Sequence, residues 1–387
     1  MLEARVRART TSPATRRIGS SRYLRRLVSL TVAMTACSDA PPASESSREP
    51  IDLGNVVIHP LGSDVYAAIR TEPEGLAVNA NSLFIVNEGD VVVVDAQFTR
   101  AATLENIAAL RRITAKPVSH VLTTHWHDDH LAGNQVYQDS FPGVAFLATL
   151  ATRADIVAMG RPNREGQVRY GPAALERYQR LLDMGLGIDS TPVSPLERES
   201  VSSAIALFSK YVEENPGFRE VLPDTLNGRT MTLVRGSRTI EVLWFGRGNT
   251  RGDLVAWLPR ERIMATGDLL VAPIPFGFNS YPSEWIAVLD SIAVRNPAVL
   301  VPGHGPLMRD LTYLDTVRQM LVAARDQTRH AVREGLDADA TRAAVTLNDW
   351  RARVAGDDKW LVTLFNQFFL QPVVARLYEE ATNGTLQ

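Results

Sequence analysis

Thr123-Thr124-His125-Trp126-His127-Asp128-Asp129-His130-Leu131-Ala132-Gly133-Asn134 holds three of the chain's seven histidines, interleaved with two aspartates. Imidazole is the commonest side-chain ligand of transition metals, and carboxylates accompany it around Zn2+. A regular helix would turn His125 and His127 to different faces, so one ion could not gather all of these ligands from it. The stretch therefore reads as a loop, delivered by a strand over Val118 to Leu122. Histidines crowded by chance on a surface loop are the bland alternative. The aspartates among them favour metal binding or catalysis.

The pattern His-x-His-x-Asp-His, formed by His125, His127, Asp129 and His130, resembles the signature of the metallo-β-lactamase-fold hydrolases. That superfamily includes class B β-lactamases, glyoxalase II, lactonases, arylsulfatases and nucleases. Further matches extend the resemblance over residues 55 to 310. It implies an α/β fold, a four-layer αββα sandwich, and one or two Zn2+ ions. Asp95, closing a strand, would support the metal loop; capping the next helix is the other reading. Asp268, in Thr266-Gly267-Asp268, matches an aspartate that bridges two metals in glyoxalase II-like members, although Gly-Asp is also a common turn. His304, in Gly303-His304-Gly305-Pro306, matches the last histidine ligand, and its flanking glycines permit close backbone approach. Asn249, in Gly248-Asn249-Thr250-Arg251-Gly252-Asp253, stands where the family carries another histidine.

The resemblance thus furnishes one metal position with Asp129, His130 and His304, with Asp268 able to bridge. A second position would have His125, His127 and Asp268, completed by Asn249 or water. A neutral amide oxygen replaces imidazole poorly on Zn2+, so this second position is a ligand short. Alternatively, Asn249 donates its NH2 to an oxyanion. Asp129 and Asn249 are accordingly the catalytic candidates. Zinc lowers the pKa of its water from 15.7 toward roughly 7 and polarises a carbonyl. The expected function is hydrolysis of an acyl C–N or C–O bond in a small molecule, such as a β-lactam-type amide or related ester. A thioester or lactone substrate, an iron enzyme on the same fold, and a catalytically impaired metal-binding lipoprotein are the alternatives. Oligomeric state is left open.

Outward from the loop, β-branched runs at Ser82 to Asn87 and Val91 to Asp95 read as buried strands around a Glu88-Gly89-Asp90 turn. Thr99 to Thr114 reads as a helix burying Leu104, Ile107, Ala108 and Leu110. Residues 150–224 interrupt the strands as a helical insertion over the site, with helices at Ala173 to Met184 and Leu196 to Glu213 and polar joints at Arg161 to Gly171 and Gly187 to Pro195. Residues 311–387 form a C-terminal helical region, leaving 53–310 as the catalytic domain. Arg247 or Arg251 could hold a substrate carboxylate.

The N-terminus reads as something apart. Basic residues Arg16 to Arg26 precede a short apolar run, Leu27 to Ala36, which together form an export signal over residues 1–36. Ala33-Met34-Thr35-Ala36-Cys37 resembles a bacterial lipobox. Cys37 is the one cysteine, so it has no disulfide partner in the chain. A lipid on Cys37, a Pro/Ser/Glu linker over 37–52, and a periplasmic address, at the outer rather than the inner membrane, are expected. No apolar run reaches the roughly 20 residues that cross a bilayer. Without residues 1–36 the chain carries 33 basic and 42 acidic residues. Its net charge of −9 repels phosphate backbones and argues against a nucleic-acid partner.

Overall fold

The computed structural model describes residues 49–384 apart from 77. The signal, the lipobox and Cys37 lie outside the described residues. Eight strands form the first sheet, in the order β1 (Ile51–Asp52), β2 (Val56–Gly62), β3 (Val65–Arg70), β4 (Ser82–Val86), β5 (Val91–Val94), β6 (Val118–Leu122), β7 (Ala145–Ala148) and β8 (Asp224–Thr225). The second sheet contains β9 (Thr230–Arg235), β10 (Arg238–Leu243), β11 (Val255–Leu258), β12 (Ile263–Val271) and β13 (Val299–His304), running β13-β12-β11-β10-β9. Strands β1 to β5 pair antiparallel, whereas β5 to β8, and also β12 with β13, run parallel.

The alternation of side chains along a strand explains the layering. In β5, Val92 and Val94 pack with Ile240, Val242, Ala256 and Val301 of the facing sheet. Val91 and Val93 turn the other way, towards Leu110 and Tyr137. These come from α1 (Arg100–Ile113) and α3 (Asn134–Ser140), which follows the one-turn α2 (Asp128–Leu131). A run of four valines is therefore buried on both faces, as a central strand requires. The insertion contributes α4 (Leu150–Asp155), α5 (Arg161–Asp183) and α6 (Pro195–Glu214). Beyond the second sheet lie α7 (Pro282–Val294), α8 (Thr312–Arg333), α9 (Ala338–Ala344), α10 (Asn348–Ala355), α11 (Lys359–Leu364) and α12 (Gln371–Asn383). Met264, Trp257 and Leu300 of that sheet share a core with Leu289, Val317, Leu321 and Val373 from these helices. The order helix, sheet, sheet, helix is the expected sandwich.

Several local expectations need correction. Leu104 is 45% exposed and Ala108 is also exposed, while Thr103 and Asn106 are buried. Hydrogen bonds make this tolerable: Thr103 donates to the Thr99 carbonyl at 2.7 Å, and Asn106 to Ser82 Oγ at 3.0 Å. The presumed joint at Arg161 to Gly171 is helical, since α5 starts on Arg161 and runs through Pro172. The linker is shorter than drawn, because Ile51 and Asp52 pair with β2.

Candidate metal centre

Strand β6 ends at Leu122, and a neighbouring carboxylate organises the loop that follows. Asp95 lies just past β5 with φ +59, a left-handed conformation that aspartate tolerates better than most residues. Its Oδ1 accepts from Thr124 N and its Oδ2 from Thr124 Oγ1, each at 2.8 Å. Oδ2 also lies 2.8 Å from His130 Nδ1. That contact fixes a proton on Nδ1, so Nε2 is the nitrogen His130 would offer a metal. Helix α1 is capped by Thr99, whose Oγ1 accepts from Ala102 N at 3.1 Å. Asp95 is thus the support of the metal loop, and its capping role falls away.

The remaining candidates arrive from the second sheet. Asp268 sits in a bulged part of β12, and His304 ends β13, paired with Val271. Asn81 stitches the two sheets here, donating through Nδ2 to the carbonyls of Pro302 at 3.1 Å and Gly305 at 2.8 Å. Gly303 N–Cα–C geometry leaves no room for a side chain: a Cβ there would fall 2.0 Å from Asp268 Oδ1.

Asp129 Oδ2 lies 3.2 Å from His130 Nε2 and 3.0 Å from His304 Nε2. Asp268 Oδ1 is 3.2 Å from His130 Nε2 and 3.6 Å from His304 Nε2. Two ligands about 2.1 Å from a tetrahedral ion stand roughly 3.4 Å apart, so these spacings suit Zn2+. His130 Nε2 and Asp268 Oδ1 are both buried without a hydrogen-bond partner, as atoms meant for a cation would be. On the other side, His125 Nε2 is 2.8 Å from His127 Nδ1 and 3.6 Å from Asp268 Oδ2, with His127 Nδ1 3.9 Å from the same oxygen. His125, His130 and Asp268 also form a tight group. All six predicted ligands converge, with Asp268 facing both halves.

Burial and charge oppose each other at this point. Burial works against ionised Asp129 and Asp268, yet the surrounding imidazoles, His130 first, hold both well below the usual carboxylate range. Burial likewise disfavours a charged His130, but Asp129, Asp268 and Asp95 overcome it and raise its pKa. His125 goes down, through burial and then the neighbouring His130. The cluster has excess negative charge that a proton on His130 partly offsets and a divalent cation would offset better.

Asn249 is fully buried in a turn built by Asp253, which accepts from Gly248 N at 3.1 Å and Thr250 Oγ1 at 2.8 Å. Its Nδ2 donates to the Phe276 carbonyl at 2.6 Å, while Oδ1 has no partner. One amide proton is therefore committed to the backbone, and the free group is the acceptor. The loop arginines are committed too. Arg247 is ion-paired with Glu284, and Arg251 with the buried Asp155. Trp126 is buried with its ring centroid 4.4 Å from that of His127, a support for the loop.

Sequence reasoning missed one cluster. Asp128, between two ligands, is buried and accepts from Arg164 Nε at 2.9 Å, from Arg164 Nη2, and from the Tyr211 hydroxyl. Arg164 comes from α5 and Tyr211 from α6, so the insertion grips the metal loop itself. Tyr211 stacks on Phe98 with centroids 4.2 Å apart, and Arg164 lies 3.8 Å over the Phe218 ring. The acidic residue was visible, but its partners lie 36 and 83 positions away.

A two-sheet sandwich with helices outside and a histidine–aspartate cluster fed by both sheets describes a class of metal-binding α/β proteins. The comparisons with known proteins agree. The sequence profile of the metallo-beta-lactamase superfamily matches residues 75–304, ending on His304. The chain belongs to that superfamily. It is 24% identical over 263 residues to a metallo-beta-lactamase type 2 from Bacillus cereus, covering 66% of this chain and 78% of the relative. It is also 22% identical over 270 residues to a linear primary-alkylsulfatase from Pseudomonas sp., covering 64% of this chain but 46% of the relative. Among solved structures, a stereoselective inverting sec-alkylsulfatase from Pseudomonas sp. superposes with a TM-score of 0.57 at 14% identity, covering 84% of this chain and 50% of that one. The chain thus spans about half the length of the alkylsulfatases it matches.

Proposed function

We propose that the protein is a zinc-dependent hydrolase of a small acyl substrate, cleaving a C–N or C–O bond of a β-lactam-type amide or related ester. The observation that carries this reading is the approach of Asp129, His130, Asp268 and His304 to one another, with the 3.0 to 3.6 Å spacings that a tetrahedral ion needs. When bound, zinc supplies Lewis acidity and an acidified water at neutral pH. Asp129, His130 and His304 hold the better-furnished position. Asp268 faces both halves, and His125 with His127 furnishes the other, where Asn249 Oδ1 is the available neutral acceptor. Asp95 orients His130, so that the imidazole presents Nε2. Asp129 and His127 are the partly open members of the cluster, and substrate reaches the centre on their side.

A panel of β-lactam, ester, lactone, thioester and alkyl sulfate substrates, run with metal analysis of the same preparation, tests the reading. Zinc-dependent turnover of an acyl substrate, lost in His304→Ala together with bound metal, is expected. Metal binding without turnover of any acyl compound would leave a sulfatase or a non-catalytic metal-binding protein. Export and lipidation belong to the same proposal: labelled palmitate should enter the wild-type chain and not Cys37→Ser.

A further inference from the structure

Three phenylalanines run in a row away from the metal cluster. Phe276, in the segment between β12 and α7, has its ring centroid 6.3 Å from His304, edge to face. Phe368 follows at 5.6 Å from Phe276, and Phe278 at 5.4 Å from Phe368. None of the three is buried, and Phe278 is 44% exposed. Phe365 and Phe369, on the same helical stretch as Phe368, are completely buried in the core. Phe368, half-buried against the core, is the ring of this stretch that stays partly accessible, and it links Phe276 beside His304 to the exposed Phe278.

The row is held at its backbone. Residues Phe365–Leu370 form a wide helical turn between α11 and α12, a local irregularity frequent at functional sites. Pro372 has no N–H to offer the carbonyl four residues back. That carbonyl, of Phe368, accepts from Gly277 N at 2.7 Å. Gly277 has to be glycine, since a Cβ would stand 2.6 Å from Val373 Cγ2 and 2.9 Å from the Phe369 carbonyl. On its other side, the Phe276 carbonyl is the acceptor for Asn249 Nδ2. The C-terminal helices are thus fastened to the segment that also orients Asn249.

We propose that Phe276, Phe368 and Phe278 form a subsite for the apolar side group of the substrate, so that this enzyme prefers acyl compounds with a long alkyl or aryl substituent. The inference rests on the acyl-hydrolase reading for the identity of the substrate and on the ring geometry for the subsite. Exposed aromatic surface continuous with a polar reaction centre is what a ligand with one apolar and one reactive end requires. Arg247 and Arg251, the loop cations, are ion-paired with Glu284 and Asp155.

The test is calorimetric titration of the zinc-loaded protein with butyrate, hexanoate, octanoate and 4-phenylbutyrate, alongside turnover of 4-nitrophenyl esters of the same acids. Complete burial of a methylene is worth about fourfold in affinity; a gain of at least twofold per methylene is expected, and Phe278→Ser and Phe368→Ser should each flatten it in both KM and Kd. Phe278 is exposed enough that its substitution leaves folding intact, so it decides the matter if Phe368→Ser is unstable. Octanoate binding no tighter than butyrate, or a gradient that Phe278→Ser leaves intact, overturns the subsite. A gradient in binding with no turnover of these esters or of any β-lactam, lactone or thioester upholds the subsite and overturns the acyl-hydrolase reading instead.

Discussion

At the residue scale, Asp128 and Arg164 form the contact whose loss the structure makes most costly. Replacing Arg164 by Met strands a buried carboxylate between two metal ligands. Breaking one side of such a pair costs about 3–5 kcal/mol, and here the disturbance reaches the loop. Arg164→Met should lower the Tm of the metal-free protein and weaken zinc retention against a chelator; Asp128→Asn combined with Arg164→Met should recover part of the stability. Zinc retention equal to wild type in the single variant would show the loop does not depend on this grip. Asn249 allows a complementary change. Asn249→His supplies the missing imidazole, and metal content after mild chelation should rise towards two ions per chain. Asp253 provides a pH signature. Burial pushes it up to about 7, so the native state holds the proton more tightly than the unfolded chain does. Its stabilising contribution is complete below the ordinary aspartate pKa of about 3.9 and is lost as pH rises through 7. Tm measured from pH 4 to 8 should fall more steeply for wild type than for Asp253→Asn.

At the element scale, the parallel pair β12 and β13 brings Asp268 beside His304, and Gly303 is its tightest point. Gly303→Ala would drive a methyl into Asp268 Oδ1. Metal binding and activity should both be lost while far-UV circular dichroism stays native; normal zinc stoichiometry in this variant would contradict the assigned role of Asp268. The strands were legible because the β-branched runs of β4 and β5 have few other ways to be buried. The candidate ligands His125, His127, Asp129 and His130 were legible from their chemistry and close spacing, whereas Asp268 and His304, distant in sequence, were legible only through the family resemblance. The buried face of α1 was not, since Thr103 and Asn106 are inward only because Thr99 and Ser82 meet their hydrogen bonds. Helix α5 was partly hidden by Gly166, Gly171 and Pro172, residues that disfavour helix locally but are overridden here by packing and by the Arg164 pair. Phe368 could not be placed either: Phe365, Phe368 and Phe369 read alike in sequence, and the wide turn before Pro372 decides which of them stays partly exposed.

At the scale of the whole molecule, a zinc ion that binds only the folded chain should stabilise it by mass action, by about 2.7 kcal/mol at a free concentration one hundred times its Kd. Tm should therefore climb with added zinc and fall on dialysis against chelator, with the His304→Ala variant indifferent to both. The C-terminal helices are integral to this unit. Val317, Leu321, Phe369 and Val373 close the same core as Trp257 and Met264 of the second sheet. A chain ending at residue 310 would bare that apolar face and should aggregate.

His125 to His130 descend from one half of the sandwich, Asp268 and His304 from the other, and Asn81 sews the margin between them. An ion seated there is consequently a clasp as well as a reagent. Stripping it should let the loop-bearing rim breathe, so that amide deuterium uptake quickens around Thr124 and Gly303 while the valine centre of β5 stays closed.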